Sequence, residues 1–117
     1  MNPKEPIVHI QASEFAQRYR NSQLNEAVLL DVREEREWKV YHLKEATLIP
    51  LSQLPFRMKG LSRDKVLYVY CAHGVRSIYA VQYLWDQGFQ HLVHVDGGLA
   101  EVSLYLEETD LSTCRKD

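Results

Sequence analysis

A chain of 117 residues, 45% hydrophobic and 26% charged, is sized for one packed core and composed like an ordinary globular domain. Its formal net charge of −2 leaves no basic excess to neutralise phosphates, which argues against a general nucleic-acid binder. Two cysteines make no disulfide framework, the polar opening reads as no secretory signal, and no run approaches the ~20 apolar residues that cross a bilayer; a cytoplasmic, reducing setting is the expectation.

Ile7 to Ile10 is predicted as a first strand, followed by a helix over Glu14 to Arg20 with Ser13 as its cap and Phe15, Ala16 and Tyr19 as its apolar stripe. Val28 to Leu30 begins a second strand that ends at Asp31-Val32-Arg33. A short charged helix over Glu34 to Lys39 places Glu35 to pair with Lys39. Thr47 to Ile49 is a third strand, stopped by Pro50, and Ser52 to Met58 is a helix interrupted near Pro55. The apolar, β-branched and aromatic run Val66 to Tyr70 predicts a buried central strand. A helix from Arg76 closes at Gly88, Leu92 to Val95 is the last strand, Gly97-Gly98 a turn, and Leu99 to Glu107 the last helix. Residues 108–117 read as a loose polar tail, leaving a core of about 7–106 within one domain. Strands alternating with helices predict an α/β domain with a largely parallel sheet. Ligands in such sheets bind beyond the carboxyl ends of the strands, where Asp31-Arg33, Cys71 and Asp96-Gly98 would meet.

The chemistry concentrates in Cys71-Ala72-His73-Gly74-Val75-Arg76-Ser77, between the central strand and its helix. A loop there aims successive backbone N–H groups into one concavity and adds the positive end of a helix dipole. Such a cradle stabilises an anion, and thiolate, not thiol, is the nucleophile. A lone cysteine after a buried strand is often only a small hydrophobe. Its company shifts the balance: Gly74 permits a close-approach backbone, Arg76 brings a forked cation, and Ser77 a hydroxyl.

This loop, Cys-x-x-Gly-x-Arg after an apolar strand, resembles the active-site loop of the rhodanese family, the thiosulfate sulfurtransferases. Leu30-Asp31-Val32-Arg33, Glu37-Trp38 before His42-Leu43, Ile49-Pro50-Leu51, Gly88-Phe89 and Val95-Asp96-Gly97-Gly98 resemble further landmarks of the family, in order, from about Ile7 to Leu106. The resemblance implies a three-layer domain with helices on both faces of the sheet. It also implies that Cys71 carries a sulfane sulfur as a persulfide, from a small anionic donor such as thiosulfate to cyanide, a thiol or a sulfur-carrier protein. No metal, organic cofactor, nucleic acid or membrane is implied. Lys44-Glu45-Ala46 replaces the family's Pro-Gly-Ala turn, and Val102 stands where an aromatic is often found. The rival enzyme class, cysteine-dependent phosphatases and arsenate reductases, carries one more residue between cysteine and arginine and so a wider cradle. A non-catalytic rhodanese-like binding module is the rival outside enzymes, and Cys71 counts against it.

Asp31 is expected near the site, orienting Arg76 or another loop donor, or simply accepting backbone N–H groups at a strand end. Arg33 either draws an anionic donor or forms an ion pair with Glu34, Glu37 or another carboxylate. His73 is expected at the rim and His42 in a structural role. His91 and His94 form a His-x-x-His pair, but on a strand that spacing points the two to opposite faces, against a metal site. Tyr68, Tyr70, Tyr79 and Tyr83 read as packing residues, and Cys114 as an inert thiol in the tail.

Overall fold

The computed structural model describes residues 7–113. In chain order the elements are β1 (Val8–Ile10), α1 (Ala12–Arg20), β2 (Val28–Asp31), α2 (Glu35–Val40), β3 (His42–Leu43), β4 (Thr47–Leu48), α3 (Leu54–Arg57), β5 (Leu67–Tyr70), α4 (Arg76–Asp86), β6 (Leu92–Val95), α5 (Gly98–Val102) and β7 (Leu111–Ser112). Five strands form a parallel sheet in the order β1-β6-β5-β2-β4, and β3 pairs with β7 in a separate antiparallel ribbon. This is the expected three-layer α/β arrangement.

The strand period of two sorts the core. Tyr68 and Tyr70 of β5 point toward α1 and α5, where Phe15, Ala16, Val95 and Leu99 pack around them. Leu67 and Val69 point the other way, onto Val81 and Leu84 of α4 and Leu54 of α3. Cys71, next in the alternation, joins that second layer, so the sheet aims its thiol at the start of α4.

Several local expectations are corrected. Helix α1 begins one residue before Ser13, with Gln11 in the cap position and no side-chain cap bond. The helical stretch is broken just before Pro55, where a 3-10 turn over Leu51–Gln53 gives way to α3; Pro55 itself sits in the first turn of α3, where its missing N–H has no helical partner to lose. Helix α5 stops at Val102 and tightens into a 3-10 turn over Ser103–Tyr105, with the Ser103 hydroxyl donating back to the Ala100 carbonyl. Val102 is nevertheless buried in the core. The predicted loose tail is ordered as far as residue 113: Glu107 and Asp110 cap one another across a turn, and β7 then lies against β3. The Tyr19 hydroxyl donates to the Asp110 carbonyl, fastening this turn to α1. Cys114 lies outside the described residues. At the departure from Pro-Gly-Ala, Glu45 adopts φ +70°, the left-handed conformation that glycine favours. Tyr79 is exposed rather than packed. Among the described residues no helix is long and apolar enough to cross a membrane.

Candidate active site

Cys71 leaves β5 at the carboxyl edge of the sheet, and the loop after it curls its amides around the sulfur. The Gly74 N–H donates to Sγ at 3.1 Å and the Ser77 N–H, in the first turn of α4, at 3.3 Å. Ser77 Oγ lies 3.3 Å from the same sulfur. Burial pushes the Cys71 thiol up, but the Ser77 hydroxyl and the amides of Ser77, His73 and Gly74 outweigh it, and the net shift is downward. Thiolate is therefore favoured by hydrogen bonds made to the charged form, at the positive end of an eleven-residue helix.

Two glycines make the curl possible. Gly74 turns at φ +89°. Gly98, at φ +68°, lies so close to the loop that a Cβ there would collide with the Ala72 carbonyl and fall 2.6 Å from the His73 nitrogen. That contact lets the first amides of α5 grip the loop from behind: Leu99 N–H donates to the Cys71 carbonyl at 2.8 Å and Ala100 N–H to the Ala72 carbonyl at 2.9 Å. Helix-end donors that would otherwise lack partners thus hold the cysteine loop in place.

Arg76 presents both arms of its guanidinium to Glu37 of α2, at 2.8 and 2.9 Å. This bidentate pair ties the loop to α2 and lowers the Glu37 carboxyl to about 2. The expectation that Asp31 orients Arg76 is corrected: Glu37 does so. Asp31 instead holds Arg33, accepting its backbone N–H at 3.0 Å and its guanidinium at 2.8–3.0 Å. Arg33 also donates to the Tyr41 carbonyl. Both residues of this pair are buried, so Arg33 is not the exposed cation that would draw a donor, and it shapes the segment after β2. His73 and Val75 are exposed at the rim of the loop. His42 stacks on Trp38 at 3.7 Å between centroids and bonds its carbonyl.

Beneath the loop lies a group that the sequence pattern did not single out. His94 of β6, 2% exposed, brings Nε2 to 2.7 Å from Ser77 Oγ and Nδ1 to 2.9 Å from Asp96 Oδ1. His9 of β1, the register partner of His94, reaches the same Oδ1 at 2.7 Å. The spacing that splits His91 from His94 holds, since His91 is exposed outside this group. The partner across the sheet is not legible in the sequence, because register between strands far apart in the chain is not visible in either one. Both nitrogens lie within hydrogen-bond distance of one carboxylate oxygen, so a proton on each ring is enough to bind the trio together.

Fold and loop together define a cysteine-loop α/β domain, with one thiol stabilised as its anion at the carboxyl edge of a parallel sheet. Residues 11–104 match the rhodanese-like domain family, and the chain belongs to that family. The uncharacterised protein YqhL of Bacillus subtilis is 40% identical over 85 residues, covering 73% of this chain and 64% of YqhL. A tRNA uridine(34) hydroxylase of Hamiltonella defensa is 34% identical over 74% of this chain but only 26% of its own length. A protein named sulfurtransferase from Allochromatium vinosum is 28% identical over 80% of this chain and 85% of its own. Among solved structures, a rhodanese-like domain protein from Staphylococcus aureus superposes with a TM-score of 0.76 at 28% identity, covering 92% of this chain and 98% of that one.

Proposed function

We propose that the chain is a sulfurtransferase that carries a sulfane sulfur on Cys71, in a cytoplasmic, reducing setting. The observation that supports this reading best is the cradle: a thiolate-stabilising loop with four residues between Cys71 and Arg76, closed tightly enough for its amides to touch the sulfur itself. A single transferred sulfur atom suits that small radius, whereas a phosphate needs donors set further out.

In the first step the Cys71 thiolate attacks the outer sulfur of a small anionic donor such as thiosulfate. A sulfur–sulfur bond forms to Cys71, the donor's own sulfur–sulfur bond breaks, and sulfite leaves with its electron pair. The resulting persulfide anion takes over the hydrogen bonds that held the thiolate. In the second step a thiol or a sulfur-carrier protein attacks the outer persulfide sulfur and Cys71 departs as thiolate. The cycle is a pair of exchanges at divalent sulfur in which donor and acceptor supply and remove one sulfane sulfur, and it involves no net oxidation or reduction of the protein.

The test is to incubate the protein with thiosulfate and weigh it intact. A species heavier by one sulfur atom, removed by cyanide and missing in Cys71→Ala, is the expected result. No added sulfur, or addition that persists in Cys71→Ala, overturns the reading.

A further inference from the structure

We propose that His94 is a positioning residue for Cys71: it accepts the thiol proton through the Ser77 hydroxyl and holds it against Asp96. The proposal rests on the sulfurtransferase reading only for the use made of the thiolate.

The geometry is a continuous line of hydrogen-bond distances. It runs from Cys71 Sγ to Ser77 Oγ at 3.3 Å, on to His94 Nε2 at 2.7 Å, and from His94 Nδ1 to Asp96 Oδ1 at 2.9 Å. Every position in that line is satisfied in two states. With the thiol intact, Cys71 S–H donates to Ser77, Ser77 O–H donates to His94 Nε2, and His94 Nδ1–H donates to Asp96. With the proton moved, His94 Nε2–H donates to Ser77 and Ser77 O–H donates to the thiolate. One S–H bond is broken and one N–H bond is formed, Ser77 exchanging its proton on the way. The product is a thiolate and an imidazolium, with no change in net charge.

Burial favours such a pair over two separated ions. His94 and Ser77 are almost wholly inaccessible, so no water competes for the Ser77 hydroxyl. The opposite charge that an imidazolium needs is already in place. Asp96 keeps its carboxyl below the usual carboxylate range: its partial burial pushes the other way, but the bonds from His9 and His94 prevail. The groups around the ring come from each packed element. β1 supplies His9, which shares the Asp96 oxygen, and the α4 side supplies Ser77 with Cys71 behind it. β5 carries its tyrosines on the opposite face of the sheet. Of the remaining charges on these elements, Arg76 is turned to Glu37, Glu101 of α5 lies against the Gly97 turn, and Asp86 ends α4.

The line also gives Ser77 a second duty. Its backbone N–H and its hydroxyl both serve the sulfur, but only the hydroxyl communicates with His94. Removing the hydroxyl and removing the imidazole should therefore not be independent events.

The experiment follows Cys71 ionisation directly, as ultraviolet thiolate absorbance against pH after subtraction of Cys71→Ala, in full-length protein with Cys114→Ala throughout. His94→Gln, which keeps an amide near the Nε2 position, is expected to raise the thiolate midpoint by roughly one pH unit, about a tenfold fall in the ionisation constant. In a Ser77→Ala background the same replacement is expected to add nothing, while Ser77→Thr retains the wild-type response. Should the buried replacement unfold the chain, the otherwise unaltered protein still decides. Its His94 ring resonances are expected to share an inflection with the thiolate absorbance, and that inflection is expected to vanish in Cys71→Ala. An unmoved midpoint in His94→Gln, additive effects of the two substitutions, or His94 resonances that titrate identically with and without Cys71 would each overturn the relay. Persulfide formation from thiosulfate, weighed on the same samples, separates the outcomes. Loss of coupling with persulfide still formed removes the relay alone; coupling without persulfide removes the sulfurtransferase reading alone.

Discussion

Arg76 and Glu37 show how the loop after Cys71 is tied down by a side chain from another element. The pair is about one-third exposed, so its direct contribution to stability is modest, but its forked geometry leaves the loop few alternatives. Its pH dependence follows from the sign of the shift. A carboxyl lowered on folding stabilises the folded form fully above its unfolded value, near 4.5, and loses that contribution as pH falls toward about 2. Fluorescence of Trp38, the neighbour of Glu37, is expected to change across that window in the native protein, and Glu37→Gln to abolish that component. An unchanged transition in Glu37→Gln would show that the pair is not what acid disrupts. At this scale the sequence revealed the cysteine, the turning glycine and the serine, because all three lie within one seven-residue stretch. Glu37 and His94 stood out in the sequence, but not as partners of this loop: each reaches it from another element, through a pairing that depends on helix placement or strand register.

Among the elements, α5 is short, yet its first residues set how near the cysteine loop lies to the sheet edge. Gly98→Ala is expected to cost at least about 3 kcal/mol, since a methyl group there meets the Ala72 carbonyl and adopts an unfavourable φ as well. The measurement is the urea midpoint, and a change under about 1 kcal/mol would mean that the loop yields easily. The ribbon of β3 and β7 is a different case. Leu111 packs partly against the core while the ribbon lies apart from the main sheet. Leu111→Ser is expected to lower stability by about 1–2 kcal/mol and to leave persulfide formation intact. Loss of sulfur loading in a still-folded Leu111→Ser protein would place the ribbon in the site. The alternation of strands and helices, and the central strand above all, was readable from the β-branched and aromatic runs. The ribbon was not, because two-residue strands carry no period, and the turn before β7 depends on Glu107 and Asp110 capping each other rather than on glycine or proline.

Across the whole molecule, the strand order joins an early strand to a late one: β1 lies at an edge and, among the described residues, pairs with β6 alone. Its three residues have one neighbouring strand, whereas β5 lies between two. Amide hydrogen exchange at Ile10 is therefore expected to be faster than at Val69, by a factor that reports local opening of the edge. Equal rates at the two positions would make the sheet a single cooperative unit. The parallel topology itself was inferable from the sequence; which strand would occupy which edge was not, since strand order depends on helix packing over both faces. That order has a kinetic consequence. During synthesis β1 emerges first and waits, unpaired, until the chain beyond residue 92 is available to receive it. His9 comes to Asp96 only then, and the α5 amides that hold the cysteine loop follow later still, so the edge strand can be seated before the loop above it is closed.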